Sequence, residues 1–163
     1  MMQQTLVLIK PDGIARGLIG EIIKRIEQRG LKIVALKMTK IEKDFAKQHY
    51  TNDIVERKGE KVYDWLLSYI TEGPVVAMIV QGVDAIENVR KIVGSTESKS
   101  AIPGTIRGDF SHMSYNYADG KKMVMKNLVH ASSDEEDAKR ELSLWFSVDE
   151  LHDYRLGAEE HLY

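Results

Sequence analysis

One histidine has neighbours that suit a nucleophile. His130 follows Asn127 and two apolar residues, and it stands directly before a segment rich in serine and acidic residues. An imidazole is largely neutral near pH 7, so a ring nitrogen can attack phosphorus without a separate strong base. A buried structural role is the usual one for any single histidine, so His130 alone leaves both interpretations open.

A lysine begins a turn that could bind an anion. In Lys10-Pro11-Asp12-Gly13, proline restricts one backbone angle and glycine permits a reversal of the chain. The turn would therefore hold the Lys10 ammonium on a rigid platform at the end of a strand. A solvated surface lysine is the ordinary alternative, and this motif is weak when taken alone.

An arginine between glycines forms a second candidate anion site. Arg107 lies between Gly104 and Gly108, where the backbone could approach a ligand closely. A guanidinium can donate two parallel N–H groups to phosphate oxygens. The alternative is a surface loop held by an arginine–aspartate pair. Two further polar residues could face the same space, namely Arg90 and Thr96.

Composition excludes several classes of chemistry. The 163 residues contain no cysteine, which removes disulfides, zinc–thiolate sites and cysteine nucleophiles. A net charge of -2 argues against a nucleic-acid partner but permits a local basic pocket. The first residues lack the pattern of a secretory signal, and no apolar run has membrane-spanning length. We therefore expect a cytoplasmic protein with one domain, residues 1–163.

Hydrophobic periodicity predicts four strands that alternate with helices. Strands are expected at residues 5–10, 31–39, 75–80 and 123–131. Helices are expected at residues 18–29, 44–70, 84–93 and 134–145, with a loop at 94–108 and a tail at 146–163. This order predicts an α+β fold with a ferredoxin-like, four-stranded antiparallel sheet and helices packed on one face.

Seven motifs in order resemble the nucleoside diphosphate kinase family. The resemblance spans nearly the whole chain, and several motifs in one order are far more specific than any one of them. The motifs occupy residues 10–13, 16–21, 49–50, 73–78, 103–110, 127–132 and 141–146. The resemblance implies reversible transfer of a terminal phosphoryl group from a nucleoside triphosphate to a nucleoside diphosphate, which would maintain cellular pools of NTP and dNTP.

The resemblance also implies the catalytic residues. His130 would be phosphorylated in a ping-pong mechanism, and Glu141 would orient its imidazole. Lys10 would bind the transferring phosphoryl group, and Tyr50 would line the pocket next to His130. Cations aimed at developing charge are a usual means of accelerating phosphoryl transfer.

The nucleotide-binding residues follow from the same resemblance. Arg90, Thr96 and Arg107 would hold the remaining phosphates, together with a magnesium ion carried by the nucleotide rather than by protein ligands. Asn127, with Lys10, would hydrogen-bond the sugar hydroxyl. Members of this family assemble as homo-oligomers, so we expect one here, a hexamer in preference to a tetramer.

The base-binding clamp departs from the family pattern. An aromatic residue contacts the base in the family, but residues 53–61 are longer here and the equivalent position is Val62. Either Val62 and Leu66 form a purely apolar clamp, or the adjacent Tyr63 takes the role.

A second departure is an insertion at residues 111–126. Tyr115 and Tyr117 alternate before the turn signal Asp119-Gly120, and methionines alternate after it, so the segment predicts a β-hairpin. We expect this hairpin beside the active site or against a neighbouring subunit, since tyrosine and methionine suit interfaces. Such an insertion resembles archaeal members of the family.

Two other functions compete with the kinase. Small ferredoxin-like domains also serve as regulatory modules that bind nucleotides without turning them over, although His130, Lys10, Arg107 and Glu141 are all present here. A sheet that binds RNA needs aromatic platforms on its central strands, and residues 5–10 and 75–80 contain none.

Overall fold

A four-stranded antiparallel sheet forms the centre of the computed structural model, which describes residues 1–162. The strands are β1 (Met2–Ile9), β2 (Lys32–Thr39), β3 (Val75–Val83) and β4 (Val129–Ala131). They lie in the order β2-β3-β1-β4, and every neighbouring pair is antiparallel. The predicted ferredoxin-like sheet is thus confirmed, although β4 is much shorter than the predicted strand at 123–131.

The helices divide the chain more finely than the periodicity predicted. Over residues 1–162 they are α1 (Pro11–Ala15), α2 (Ile19–Gln28), α3 (Lys43–His49), α4 (Asp53–Lys58), α5 (Glu60–Thr71), α6 (Ala85–Val93), α7 (Ile106–Phe110), α8 (Tyr115–Gly120) and α9 (Glu135–Trp145). The single helix predicted at 44–70 is three helices, and Gly59, at φ +84°, separates the last two. None of the described helices is long and apolar enough to cross a bilayer.

Helices cover both faces of the sheet, which corrects the expectation of one covered face. On one face, Leu6 and Leu8 of β1 pack in a cluster with residues of α3, α5 and α9. On the other face, Val7 and Ile9 pack with residues of α2 and α6. The central strands are continuous apolar runs rather than alternating ones, and this pattern is typical of strands buried on both sides.

The insertion contains a helix, so the predicted hairpin at 111–126 is wrong. Ser114 caps α8, because its Oγ accepts a hydrogen bond from the Tyr117 N–H at 3.2 Å. Asp119-Gly120, predicted as a hairpin turn, instead forms the last two residues of this helix. Ala118 is buried and anchors α8 to the rest of the chain. An N-terminal cap therefore prevailed over a two-residue alternation that was too short to specify a strand.

The segment after α9 lies along the edge strand β2. The His152 N–H donates to the Val34 carbonyl at 2.8 Å, and the Tyr154 hydroxyl donates to the Ile33 carbonyl at 2.7 Å. These contacts occupy backbone acceptors of an edge strand, which would otherwise be open to pairing with another strand. Tyr163, the last residue of the predicted tail at 146–163, lies outside the described residues.

The two covered faces predict two equally sensitive core positions. Ile26 on α2 and Ile70 on α5 are buried on opposite faces of the sheet. Ile26→Ala and Ile70→Ala should each lower the free energy of unfolding by about 2–5 kcal/mol, because each leaves a cavity in a packed core. Urea denaturation at one fixed protein concentration would measure both effects.

The control is Ile102→Ala, since Ile102 is 73% exposed. This change should alter the free energy of unfolding by no more than about 0.5 kcal/mol. If Ile26→Ala or Ile70→Ala behaved like the control, the corresponding face of the sheet would not be covered.

Candidate active site

His130 and Glu141 form a hydrogen-bonded pair between β4 and α9. The two carboxylate oxygens of Glu141 lie 2.9 Å and 3.0 Å from Nε2 of His130. A carboxylate at this distance stabilises the tautomer that carries its proton on Nε2. Nδ1 is then the unprotonated nitrogen and keeps its lone pair. The pair thus provides an oriented nucleophile on a partly exposed side chain.

Glu141 is held in place by the end of β4. Its side chain is buried, and Ser132 Oγ donates to one carboxylate oxygen at 2.7 Å. The same Oγ accepts from the Leu6 N–H at 3.2 Å, so the hydroxyl connects the carboxylate to β1. A buried carboxylate needs such partners to offset its desolvation. Ser132 therefore fixes the acceptor that in turn orients His130.

A second histidine, His49, packs against the ring of His130. The two ring centroids are 4.6 Å apart and the planes are nearly perpendicular. Trp145 Nε1 donates to His49 Nδ1 at 3.2 Å, so this nitrogen carries no proton. Burial lowers the pKa of His49 well below its ordinary value, and the nearby His130 lowers it further. His49 thus stays neutral and does not compete with His130 for the Glu141 carboxylate.

These side chains are also the candidate metal ligands within residues 1–162. Ligand atoms of His49, His130 and Glu141 all lie within 4.8 Å of one another. However, His49 Nδ1 already accepts from Trp145, and magnesium prefers oxygen ligands. The chemistry of this group fits a hydrogen-bonded nucleophile better than a magnesium site.

Lys10 is a buried cation at the end of β1. Its Nζ donates to Asn127 Oδ1 at 2.8 Å, and Asn127 Nδ2 donates to the Thr96 carbonyl at 2.9 Å. Burial, together with the charge of Arg107, lowers the pKa of Lys10 to about 7. A bound anion would restore the ordinary preference for the ammonium form. The surroundings of Lys10 therefore favour a ligand with negative charge.

Asp12 fixes the backbone that carries Asn127 and β4. One carboxylate oxygen accepts from the Leu128 N–H at 3.1 Å, and the other accepts from the Tyr69 hydroxyl. Leu128 has a φ of +70°, a conformation that costs free energy for a residue other than glycine. The hydrogen bond from Asp12 helps to hold this strained residue. The sequence signalled Asp12 only as part of a turn.

Arg107 braces the same backbone from α7. Its guanidinium donates to the carbonyls of Asn127, Gly94 and Val129 at 3.1, 2.9 and 2.6 Å. Three of its five N–H groups are thus used, which leaves two for a ligand. Burial, together with the charge of Arg90, lowers the pKa of Arg107 to about 10. Arg107 remains a cation at neutral pH and contributes positive charge as well as rigidity.

One cleft of about 640 Å³ brings the predicted site residues together. Its size is typical of a pocket for one small molecule. Arg90 and Thr96 are exposed on one wall, and Tyr50 is buried in another. Among the described residues, the cleft is lined by all ten residues expected from the sequence: Lys10, Tyr50, Val62, Leu66, Arg90, Thr96, Arg107, Asn127, His130 and Glu141.

The candidate base-clamp residues on helix α5 have different surroundings. Val62 and Leu66 lie one turn apart and both line the cleft. Tyr63 points instead into the hydrophobic core, where only 9% of it is exposed. Tyr63 does not line the cleft, whereas the clamp of Val62 and Leu66 stays a prediction. Gly59 directly precedes α5 as its N-cap residue, so the helix begins at Glu60.

Sequence reasoning did not show which residues of the insertion face the cleft. Residues of the insertion line it, including Tyr115, Asp119 and Met123. Lys58 of α4 also lines the cleft. Of the two positions expected for the insertion, the structure places it beside the site. The large side chains of this segment indicated that it packs against the rest of the chain. Because a hairpin was predicted in place of a helix, the sequence did not show which of these side chains face the cleft.

Known proteins that resemble the chain share one description. The family profile described as "Nucleoside diphosphate kinase" matches residues 3–151. A nucleoside diphosphate kinase of Borreliella burgdorferi is 47% identical, over 100% of this chain and 99% of that protein. One of Sulfurisphaera tokodaii is 50% identical, over 92% of each. A solved structure, a transition state mimic of nucleoside-diphosphate kinase from Borrelia burgdorferi with bound vanadate and ADP, has a TM-score of 0.96 at 46% identity and covers 98% of this chain and 96% of that one. The chain belongs to the nucleoside diphosphate kinase family.

Proposed function

We propose that this nucleoside diphosphate kinase works by a ping-pong mechanism with His130 as the phosphoryl carrier. The observation that carries the proposal is the pair of contacts, 2.9 and 3.0 Å, between His130 Nε2 and Glu141. The Nδ1 lone pair forms a bond to the γ-phosphorus, and the bond from that phosphorus to the bridging oxygen breaks. The electron pair leaves with the nucleoside diphosphate. Glu141 stabilises the positive charge that the ring gains.

The second half-reaction reverses the first with a new acceptor. A terminal phosphate oxygen of a second nucleoside diphosphate attacks the phosphorus on His130, and the N–P bond returns its electron pair to Nδ1. One cleft of about 640 Å³ serves both steps. The similar structure with bound vanadate and ADP supports a nucleotide in this cleft during transfer.

Buried cations would stabilise the charge that develops on the transferring group. Lys10 is close to the ribose-binding candidate Asn127, and Arg107 lies on the other side of that residue. In a site of low dielectric, fixed charges act more strongly than they do in water and need no reorganisation. Lys10 would bind the transferring phosphoryl group, whereas Arg90, Thr96 and Arg107 would hold the other phosphates.

Magnesium would enter as part of the nucleotide substrate. Within residues 1–162, three of the four carboxylates that line the cleft are engaged: Glu141 contacts His130, Asp137 pairs with Arg140, and Asp53 pairs with Arg57. The fourth, Asp119, is an exposed residue of the insertion. Magnesium commonly binds through substrate phosphates and water with few protein ligands. This arrangement supports a metal held by the phosphates, with its charge added to that of Lys10 and Arg107.

The wider properties of the molecule are also proposals. We infer that residues 1–163 form one catalytic domain that acts in the cytoplasm as a homo-oligomer, a hexamer in preference to a tetramer. Val62 and Leu66 support an apolar contact with the base that accepts different bases, since no polar group of these two side chains selects among them. Sedimentation would measure the number of subunits.

The first experiment tests the carrier residue. Incubation with magnesium and γ-labelled ATP, without an acceptor, should attach label in a form that is labile to acid and stable to alkali. Added GDP should discharge the label. His130→Ala should abolish labelling, whereas His112→Ala, which changes an exposed histidine, should not. Binding of ATP without any label would overturn the catalytic proposal in favour of a regulatory nucleotide-binding module.

The role of Glu141 predicts a slower transfer when its charge is removed. Glu141→Gln should reduce the rate of phosphohistidine formation roughly a hundredfold, because the amide neither stabilises the charged ring nor enforces the tautomer. Rapid-quench measurement at saturating ATP would give this rate. The control is Glu136→Gln, an exposed position on the same helix. Equal rates for the two variants would contradict the orienting role.

The lowered pKa of Lys10 predicts proton uptake on binding. Above about pH 7 the empty site holds much of Lys10 in the neutral form, and phosphate would raise its pKa again. Binding of magnesium–ADP should therefore take up protons at pH 8, and affinity should fall as the pH rises towards 9. Calorimetry in two buffers with different ionisation enthalpies would measure the uptake. Lys10→Met should lose it and Lys61→Met should keep it; equal uptake in both variants would exclude Lys10 as its source.

A further inference from the structure

Two exposed side chains that line the nucleotide cleft lie close to each other. Lys58 Nζ of α4 lies 5.4 Å from the centroid of the Tyr115 ring of α8. Both residues line the cleft, and they come from different helices, α4 and α8. This distance is within the range of a cation–π contact. The insertion therefore supplies the partner that holds this ammonium over the cleft.

Lys58 forms no ion pair with a carboxylate in the described part of the chain. In the described part of the chain, no acidic oxygen lies within 4 Å of its Nζ, whereas the neighbouring Arg57 pairs with Asp53. Its charge also reaches the floor of the cleft, because it is one of the causes that lower the pKa of Lys10. A cation that acts on Lys10 in this way would also attract a phosphate bound there.

The surroundings of Lys58 leave it free to change partners. Helix α4 contains no buried residue and is followed by Gly59. A cation–π contact at an exposed site is weak, and a phosphate oxygen offers a full negative charge instead. The Tyr115 ring, by contrast, lies on a helix that is anchored by the buried Ala118 and by the capping hydroxyl of Ser114.

We propose that Lys58 is a further nucleotide-binding residue, which Tyr115 holds over the empty cleft and which moves onto the phosphate chain when a nucleotide binds. The proposal deepens the proposed function and rests on it for the identity of the ligand. Tyr115 limits the disorder of a long side chain before binding, so less conformational entropy is lost when the ammonium meets phosphate. The insertion thereby contributes to affinity without touching the reacting atoms.

The test compares two lysines with the same kind of environment. Lys58→Gln should weaken binding of magnesium–ADP about threefold to tenfold, as expected for one exposed charge-assisted contact. Lys61→Gln is the matched control, since Lys61 Nζ lies 5.3 Å from the Trp65 ring, is exposed, and does not line the cleft. Its affinity should match that of the unaltered protein, and Lys58→Arg should retain most of the binding.

Three further readouts separate a phosphate contact from a structural effect. The loss in Lys58→Gln should shrink at high salt and vanish for adenosine, which has no phosphate. Tyr115→Leu should weaken ADP binding less than Lys58→Gln does, and should add nothing in the Lys58→Gln background. Tyr117→Leu, on the same helix but outside the cleft, should have no effect.

The outcomes distinguish this inference from the proposed function. Equal ADP affinities for Lys58→Gln and Lys61→Gln would overturn the inference, even if the unaltered protein forms phosphohistidine. Additive effects of Lys58→Gln and Tyr115→Leu would show that Tyr115 does not hold Lys58. Failure of the unaltered protein to form phosphohistidine would instead remove the proposed mechanism and leave the binding result intact.

Discussion

The hydrogen-bonded pair of His130 and Glu141 is the constraint on which the other features of the site depend. A carboxylate with 2% of its surface exposed is costly to bury, and it persists because a serine hydroxyl and an imidazole both contact it. Those contacts require α9 to pack against the end of β4 in one register. The sheet, helix α9 and its cap at Asp134 thus together fix the short distance between Glu141 and His130.

A second constraint is that the short strand β4 is supported by charged side chains, one of which also adds positive charge to the cleft. Strand β4 has only three residues and pairs with β1 alone, so its position depends on side chains from elsewhere. Arg107 and Asp12 provide that support through backbone carbonyls and the Leu128 N–H. The same arginine contributes charge to the cleft. Stiffness and electrostatic preorganisation are therefore produced by the same contacts, and a change to one alters the other.

The sequence predicted the site better than it predicted the layers around it. His130, Lys10 and Arg107 stand in short motifs that are weak singly but specific when they occur together in one order, and the structure brings them to one cleft. One covered face was expected from the order of strands and helices, although the buried parts of both central strands are apolar runs that suit burial on two sides. The phase of Tyr63 and the cap at Ser114 depend on single residues at helix starts, and local periodicity does not resolve such positions. His49 was quoted in a motif but given no role, because its burial and its contacts with His130 and Trp145 involve residues distant in sequence.

The size of the cleft has a kinetic consequence. A pocket of about 640 Å³ suits one nucleotide, so donor and acceptor take turns in it. With His130 as carrier, a nucleoside diphosphate that enters before the histidine is phosphorylated has no phosphoryl group to accept. It also blocks binding of the next donor. Diphosphates are then both substrates and dead-end inhibitors, depending on the state of one side chain. In a mixture, the rate at which any one nucleoside diphosphate is phosphorylated is set by its competition with the other nucleotides for the same site.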